Sequence, residues 1–294
     1  MSIPGESSWV RRARPLLGTI VEVTADGASE VIEHAFKAVE AVQERMSYHN
    51  STSELTRLNR RASTEWVTVS ESLLTVLRCA LDLARQSEGA FDPTVAVRLT
   101  SLGFLPRVAG SPIASRSATW RDIELDERNS RVRFHRPLRL DLGGIAKGYA
   151  VDLAVEVLLT AGVKSGLVNA GGDLRGFGSD HWSIAIRHPR EPSVVLATLP
   201  LHNTAMATSS GTFSQRRRGN TLITALLDGR DRAPIPVESS ASVIAPTAMI
   251  ADGLTKVALA LDREGDLVLS RYQASAFLFD SNGARFVPPL SHAA

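Results

Sequence analysis

Two glycine turns separated by one helix-length segment constrain this chain more than any other feature. Residues 138–142 read as a short strand running into Gly143-Gly144, and a helix is expected from about Ala146 to Ala161, stopped by Gly162. A second strand, 166–169, then runs into Gly171-Gly172. A strand, glycine turn, helix, strand unit predicts an α/β fold, an α+β mixed sheet with flanking helices.

The flanking sequence supplies more of both elements. Residues 17–24 (LGTIVEVT) alternate β-branched side chains and read as a strand closed by Asp26-Gly27. From Ser29, an N-cap residue type, Val31, Ile32, Ala35, Phe36, Val39, Val42 and Met46 recur at spacings that line one face of a helix ending near Ser47. A second helix is expected over 70–86, with Gly89 beyond its end, and a polar linkage joins the two. Residues 105–137 are rich in Pro, Ser and Arg and read as a surface excursion with a short strand at 132–135. Residues 182–187 and 194–199 suggest an antiparallel pair, and 242–245 lead through Pro246-Thr247 into a last helix ending about Leu261. Asn282-Gly283, between 276–279 and 285–287, signals a closing hairpin. The expected organisation is one unit over 1–294, its helical part at about 29–104 packed on the core.

Composition excludes several classes. Thirty-three Lys and Arg against 31 Asp and Glu leave a net charge of +2, without the dense positive surface that duplex binding needs, so nucleic acid is not an expected partner. The one cysteine, Cys79, excludes an intramolecular disulfide and a cysteine-based zinc site, and its apolar surroundings place it in a buried helix. Arg11-Arg12 is followed by Arg14, Pro15 and Glu22, which interrupt the apolar core of an export signal, and no apolar run reaches the roughly 18 residues of a membrane span. A cytoplasmic protein without a membrane span is the resulting expectation.

Familiar catalytic signatures are absent. The glycines fit neither G-x-G-x-x-G nor the phosphate loop, the seven histidines form no H-E-x-x-H, and Ser209-Ser210-Gly211 lacks the glycine that a nucleophile elbow needs. Asp141-Leu142-Gly143-Gly144-Ile145-Ala146-Lys147-Gly148 remains: an acid, two glycines open to close backbone approach, and a lysine at a helix start. That arrangement suits an anionic ligand, and equally suits a tight strand-to-helix turn with an exposed lysine. On the last helix, Asp252, Thr255 and Lys256 share a face at i, i+3 and i+4. A carboxylate with hydroxyl or carbonyl oxygens suits Mg²⁺, and the same spacing also describes an ordinary Asp252–Lys256 salt bridge.

Six blocks in order resemble the FAD:protein FMN transferase family, also called ApbE and formerly thiamine-biosynthesis lipoproteins. They are Leu17-Gly18-Thr19; Met46-Ser47 through Ser53-Glu54-Leu55 to Leu58-Asn59; Gly89 to Thr94 (GAFDPT) with Leu102-Gly103-Phe104; Asp141 to Asp152 (DLGGIAKGYAVD); Asn169 to Gly176 (NAGGDLRG); and Ala207-Thr208-Ser209 with Ala251-Asp252-Gly253-Leu254. The resemblance implies Mg²⁺-dependent transfer of FMN from FAD to a Thr or Ser hydroxyl of an acceptor flavoprotein, releasing AMP. It implies metal ligation by the Gly144 carbonyl and the Asp252 carboxylate, with Asp141 and Lys147 near the nucleotide, Asp252 and Lys147 as the catalytic pair, and FAD contacts from Leu17, Ala90, Phe91, Asp92 and Leu226.

Three positions depart from the family pattern. Where His-x-x-Asp-Pro-Arg-Thr-Gly often stands, this chain has Ala225-Leu226-Leu227-Asp228-Gly229-Arg230-Asp231-Arg232, without the histidine. Four residues after the metal aspartate, the family's usual threonine ligand is Lys256, which while charged has no lone pair to coordinate Mg²⁺; Thr255 is the neighbouring hydroxyl that replaces it. His49 stands where an aromatic residue often stacks on flavin, a role open to an imidazole as well as a solvated loop position. These departures admit two alternatives, a non-catalytic FAD-binding protein and an FAD pyrophosphatase giving FMN and AMP. Arg11-Arg12-Arg14, Arg57-Arg60-Arg61 and Arg216-Arg217-Arg218 read as solvated charge runs, the last also placed to face phosphate or an acidic acceptor.

Overall fold

A computed structural model describes residues 9–27, 29–107, 110 and 112–289. Residues 1–8 and 290–294 of the expected 1–294 unit, with 28, 108, 109 and 111, lie outside the described residues. The chain begins with strands β1 (Trp9–Leu16) and β2 (Thr19–Asp26), then helices α1 (Ser29–Met46) and α2 (Glu54–Arg61), strand β3 (Val67–Thr68), and helices α3 (Glu71–Gln86) and α4 (Ala96–Leu102). Strands β4 (Ile123–Asp126) and β5 (Arg131–Phe134) precede helix α5 (Ala146–Thr160) and strands β6 (Gly166–Ala170), β7 (Asp173–Phe177), β8 (Trp182–Arg187), β9 (Val195–Leu201) and β10 (Ala205–Ser210). Strands β11 (Gln215–Arg218), β12 (Thr221–Thr224) and β13 (Ser240–Ala245), helices α6 (Ala248–Leu261) and α7 (Gly265–Arg271), and strands β14 (Ser275–Asp280) and β15 (Gly283–Val287) complete it.

Eight strands form the main sheet in the order β1-β2-β6-β7-β10-β13-β14-β15. Their period-2 alternation supplies both faces. Val23, Val168, Ala207 and Val243 join Phe36 of α1, Val151 of α5 and Leu254 of α6 in the principal core. Leu174, Met206, Ile244 and Phe277 point the other way, under the β8–β9 hairpin with Ile186 and Leu201. No helix among the described residues is long and apolar enough to cross a membrane.

The expected class, sheet with flanking helices, is what forms, and the helices expected near 29–47, 70–86 and 146–161 appear as α1, α3 and α5. Every neighbouring pair in the main sheet is antiparallel, where a mixed sheet was expected. The reason lies at 138–142, which joins no strand. Its backbone is satisfied by a side chain: Asn59 Nδ2 donates to the Leu140 carbonyl (2.9 Å), and Leu140 N donates to Asn59 Oδ1 (2.8 Å). Helix α5 therefore does not link two parallel strands. The strand expected at 17–24 starts two residues later, because Leu17 (φ 56°) and Gly18 (φ 72°) form the tight turn between β1 and β2. Within the expected surface excursion, β5 pairs with both β3 and β4 in a small three-stranded sheet, and Val132 and Phe134 are buried.

Candidate active site

A cleft of about 790 Å³ opens where α1, the loop after α3, the turn into α5 and the end of β10 meet. Nine of the residues singled out from sequence line it: Leu17, His49, Ala90, Phe91, Asp92, Asp141, Gly144, Lys147 and Leu226. They come from separate elements. Leu17 is held at its turn by its N–H donating to Gln43 Oε1 on α1. His49 follows the end of α1, and the loop carrying Ala90 to Asp92 is fixed by Phe91 N donating to Ser87 Oγ (3.1 Å) and Thr94 N donating to Asp92 Oδ1 (2.8 Å). Burial raises the Asp92 pKa against these hydrogen bonds and the nearby Arg232 charge.

Three glycines make the charged end of the cleft. Gly171 (φ 65°) and Gly172 (φ 102°) close the β6–β7 hairpin in a conformation that other residues adopt at a cost, and this places Asp173 at the first position of β7. Gly148 lets α5 and α6 touch: a Cβ there would sit 2.1 Å from the Ala248 carbonyl oxygen. That approach brings Lys147 on α5 against Asp252 on α6. Lys147 Nζ bonds Asp173 Oδ2 and lies 3.9 Å from Asp252 Oδ2. Gly148 N donates to Asp252 Oδ2 (3.2 Å), so α6 supplies the first-turn cap that Ile145 cannot.

Burial alone would lower the Lys147 pKa, but Asp252 and Asp173 reverse this and raise it, so Lys147 stays an ammonium. Burial also pushes the Asp252 carboxyl up, and Lys147 and Lys256 together hold it below the usual carboxylate range. Asp173 goes the other way, pushed up to about 6 by burial and by the Asp252 charge against the pull of Lys147 and Lys256. Asp141 is raised chiefly by burial.

The expected metal ligands fall on two sides of Lys256. Asp252 and Thr255 are fully buried and absent from the cleft lining, whereas Gly144 and Lys256 line it. Lys256 Nζ bonds Asp252 Oδ1 and donates to the Asp252 carbonyl (3.0 Å). A Cβ on Gly144 would lie 3.3 Å from Lys256 Cε, so the lysine stem fills the space between Gly144 and Asp252. The Thr255 hydroxyl donates to the Asp252 carbonyl (2.7 Å) and bonds Ser209 Oγ (2.7 Å), which commits it within the core. A divalent cation about 4 Å from this ammonium would meet a repulsion of about 8 kcal/mol at an effective dielectric of about 20. The donor set as folded does not fit Mg²⁺: one Asp252 oxygen is paired with an ammonium, the other with a backbone N–H, and the Thr255 hydroxyl is bonded to Ser209 and the Asp252 carbonyl.

The sequence model of the ApbE family matches residues 17–278. The chain belongs to the ApbE family. It is 31% identical over 255 residues to a Haemophilus influenzae protein named FAD:protein FMN transferase, covering 80% of this chain and 72% of that protein. A Rhodobacter capsulatus protein of the same name is 29% identical over 293 residues, covering 93% of this chain, and this chain spans only 56% of that relative's length. The crystal structure of the ApbE protein from Thermotoga maritima superposes with a TM-score of 0.84 at 25% identity, covering 95% of this chain and 97% of that one.

Sequence reasoning missed Asp173 as a member of the charged cluster, although it belongs to the Asn169-to-Gly176 block. It also left Phe213 and Leu105, both in the cleft lining, without a role. Asp173 carried a usable signal, an acid following a glycine pair. Phe213 carried none, because its place at the cleft follows only from the pairing of β10 with β13.

Proposed function

We propose that this ApbE-family protein transfers the FMN half of FAD to a threonine or serine hydroxyl of an acceptor flavoprotein, releasing AMP. The supporting observation is that one cleft joins an apolar lining, including Leu17, Phe91, Leu105, Phe213 and Leu226, to the ammoniums of Lys147 and Lys256. An aromatic ring system linked to a pyrophosphate needs both kinds of surface. The names of the relatives agree with this ligand class.

In the proposed step the acceptor oxygen attacks the phosphorus on the FMN side. The bond from that phosphorus to the bridging oxygen breaks, and the bridging oxygen leaves on AMP. Lys147 and Lys256 bind the pyrophosphate oxygens and offset charge that builds on the leaving phosphate. Asp252 and Asp173 aim the two side chains and raise the Lys147 pKa. Ala225 lines the cleft without a base, so the hydroxyl proton passes to another group. Asp141 suits the role of that proton acceptor, because it lines the cleft and burial raises its pKa, making it a stronger base than an exposed aspartate. No step is assigned to the Mg²⁺ that the family resemblance implies.

The test is incubation of the purified protein with FAD and an acceptor flavoprotein carrying a Thr flavinylation site, followed by AMP quantification and in-gel flavin fluorescence. AMP with fluorescence on the acceptor is the expected result. AMP with free FMN instead would favour a pyrophosphatase, and bound FAD without AMP would favour a binding protein.

A further inference from the structure

We propose that the Lys256 ammonium is the resident cation of the pyrophosphate site, taking the place that a divalent metal ion would hold between Asp252 and Gly144. The inference rests on the flavin-transfer reading and adds that FAD is bound, and its FMN transferred, without a divalent metal.

Three observations carry it. Lys256 is anchored at its own helix position: Nζ bonds the carboxylate and the carbonyl of Asp252, one turn earlier on α6. An ammonium has three N–H groups, and these two bonds leave the third uncommitted on a residue that lines the cleft. The remaining candidates for metal ligation are otherwise engaged, Thr255 with Ser209 and the Asp252 carbonyl, and Asp252 Oδ2 with Gly148 N. Among the described residues no group of three or more His, Cys, Asp or Glu side chains is placed to hold a metal ion.

Lys147 and Lys256 face Asp173 and Asp252 in one cluster, with Asp141 close enough to Lys256 to feel its charge. Entry of the pyrophosphate dianion adds two negative charges beside two ammoniums whose remaining N–H groups have no acceptor among the described residues. Atoms balance in the transfer step: the acceptor proton leaves to Asp141, the phosphoanhydride bond breaks, and AMP departs with the bridging oxygen. Lys256 contributes charge and hydrogen bonds throughout and keeps its partners on Asp252.

The test uses the intact protein, metal-stripped with EDTA. FAD binding is followed by flavin fluorescence, and metal binding by the electron paramagnetic resonance of Mn²⁺ with FAD present. The expected wild-type result is an FAD affinity that changes less than about twofold between excess EDTA and excess Mg²⁺, with no bound Mn²⁺ signal. Lys256→Thr, which vacates the position and restores a hydroxyl, should bind one Mn²⁺ and bind FAD at least about tenfold more tightly with Mg²⁺ than with EDTA. Lys256→Met, which keeps the stem and removes the charge, should weaken FAD binding in EDTA by about tenfold or more. A wild-type protein that binds Mn²⁺ stoichiometrically, or whose FAD affinity collapses about tenfold in EDTA, would overturn the inference while leaving the flavin reading intact. Failure to bind FAD with or without Mg²⁺ would overturn both. The wild-type measurements decide the matter even where a variant does not fold.

Discussion

Asp173 is the carboxyl of the charged cluster that burial and a neighbouring acid push up. Its native pKa, about 6, exceeds the ordinary aspartate value of 3.8 because the group is buried beside Asp252. Between those values the native state binds a proton that the unfolded state has released, so stability falls as pH rises through this window. The contribution is fully present below the unfolded value and lost above about pH 6. Asp173→Asn removes it, and the stability of that variant relative to wild type should therefore increase from pH 4 to 6 and flatten above, as read by urea unfolding at each pH. For Asp141, replacement by Asn keeps the shape and removes the base. Asp141→Asn should lower kcat for acceptor flavinylation by about 10²- to 10⁴-fold with a smaller change in KM for FAD. At this scale the sequence named Asp141, Lys147 and Asp252 but left their arrangement open. An i, i+4 Asp252–Lys256 pair reads as a weak surface contact, and only its burial turns it into part of a charged cluster.

Among the elements, α5 and α6 decide the site, and Gly148 decides how closely they approach. Alanine there would gain about 1 kcal/mol of helix propensity. It would also drive a methyl group into the backbone of Ala248 and Met249, at 2.1 to 2.7 Å from three atoms. Overpacking against backbone costs about 3 kcal/mol or more, so the loss outweighs the gain. Gly148→Ala should lower the thermal midpoint and also weaken FAD binding, because Lys147 and Asp252 move apart; thermal unfolding and flavin fluorescence read the two effects. Asn59→Ala would leave the buried Leu140 N–H and carbonyl without partners, costing about 2–4 kcal/mol of unfolding free energy in urea titrations. Helix α2, which carries Asn59, went unforeseen. Its eight residues bring only Leu55 and Leu58 as apolar side chains, too short a run for periodicity to register. The same limit explains why 138–142 reads as a strand: its alternation is that of a sheet strand, but a side-chain amide takes the place of a neighbouring strand.

In the whole molecule, the cleft draws on α1, the loop after α3, the turn into α5, β10, the loop after β12, and α6, so a ligand filling it bridges segments distant in sequence. A ligand that binds only the folded state stabilises it by about 2.7 kcal/mol at a hundredfold excess over Kd. FAD at that excess should raise the thermal midpoint by roughly 5 °C, whereas AMP or FMN at the same concentration should raise it less, since each engages part of the lining; scanning calorimetry distinguishes them. The sequence by itself determined the helices with long apolar stripes, the hairpins signalled by glycine, the family, and the charged residues of the site, because these depend on local periodicity, turn conformation and residue chemistry. Only the tertiary structure decided that the main sheet is antiparallel, that Asp173 completes the cluster, and that Lys256 rather than Thr255 faces the cleft beside Gly144. The first depends on Asn59 holding the backbone of 138–142 away from any strand, and the other two on how closely α5 and α6 pack and which side chains that packing buries, contacts that no spacing along the chain encodes.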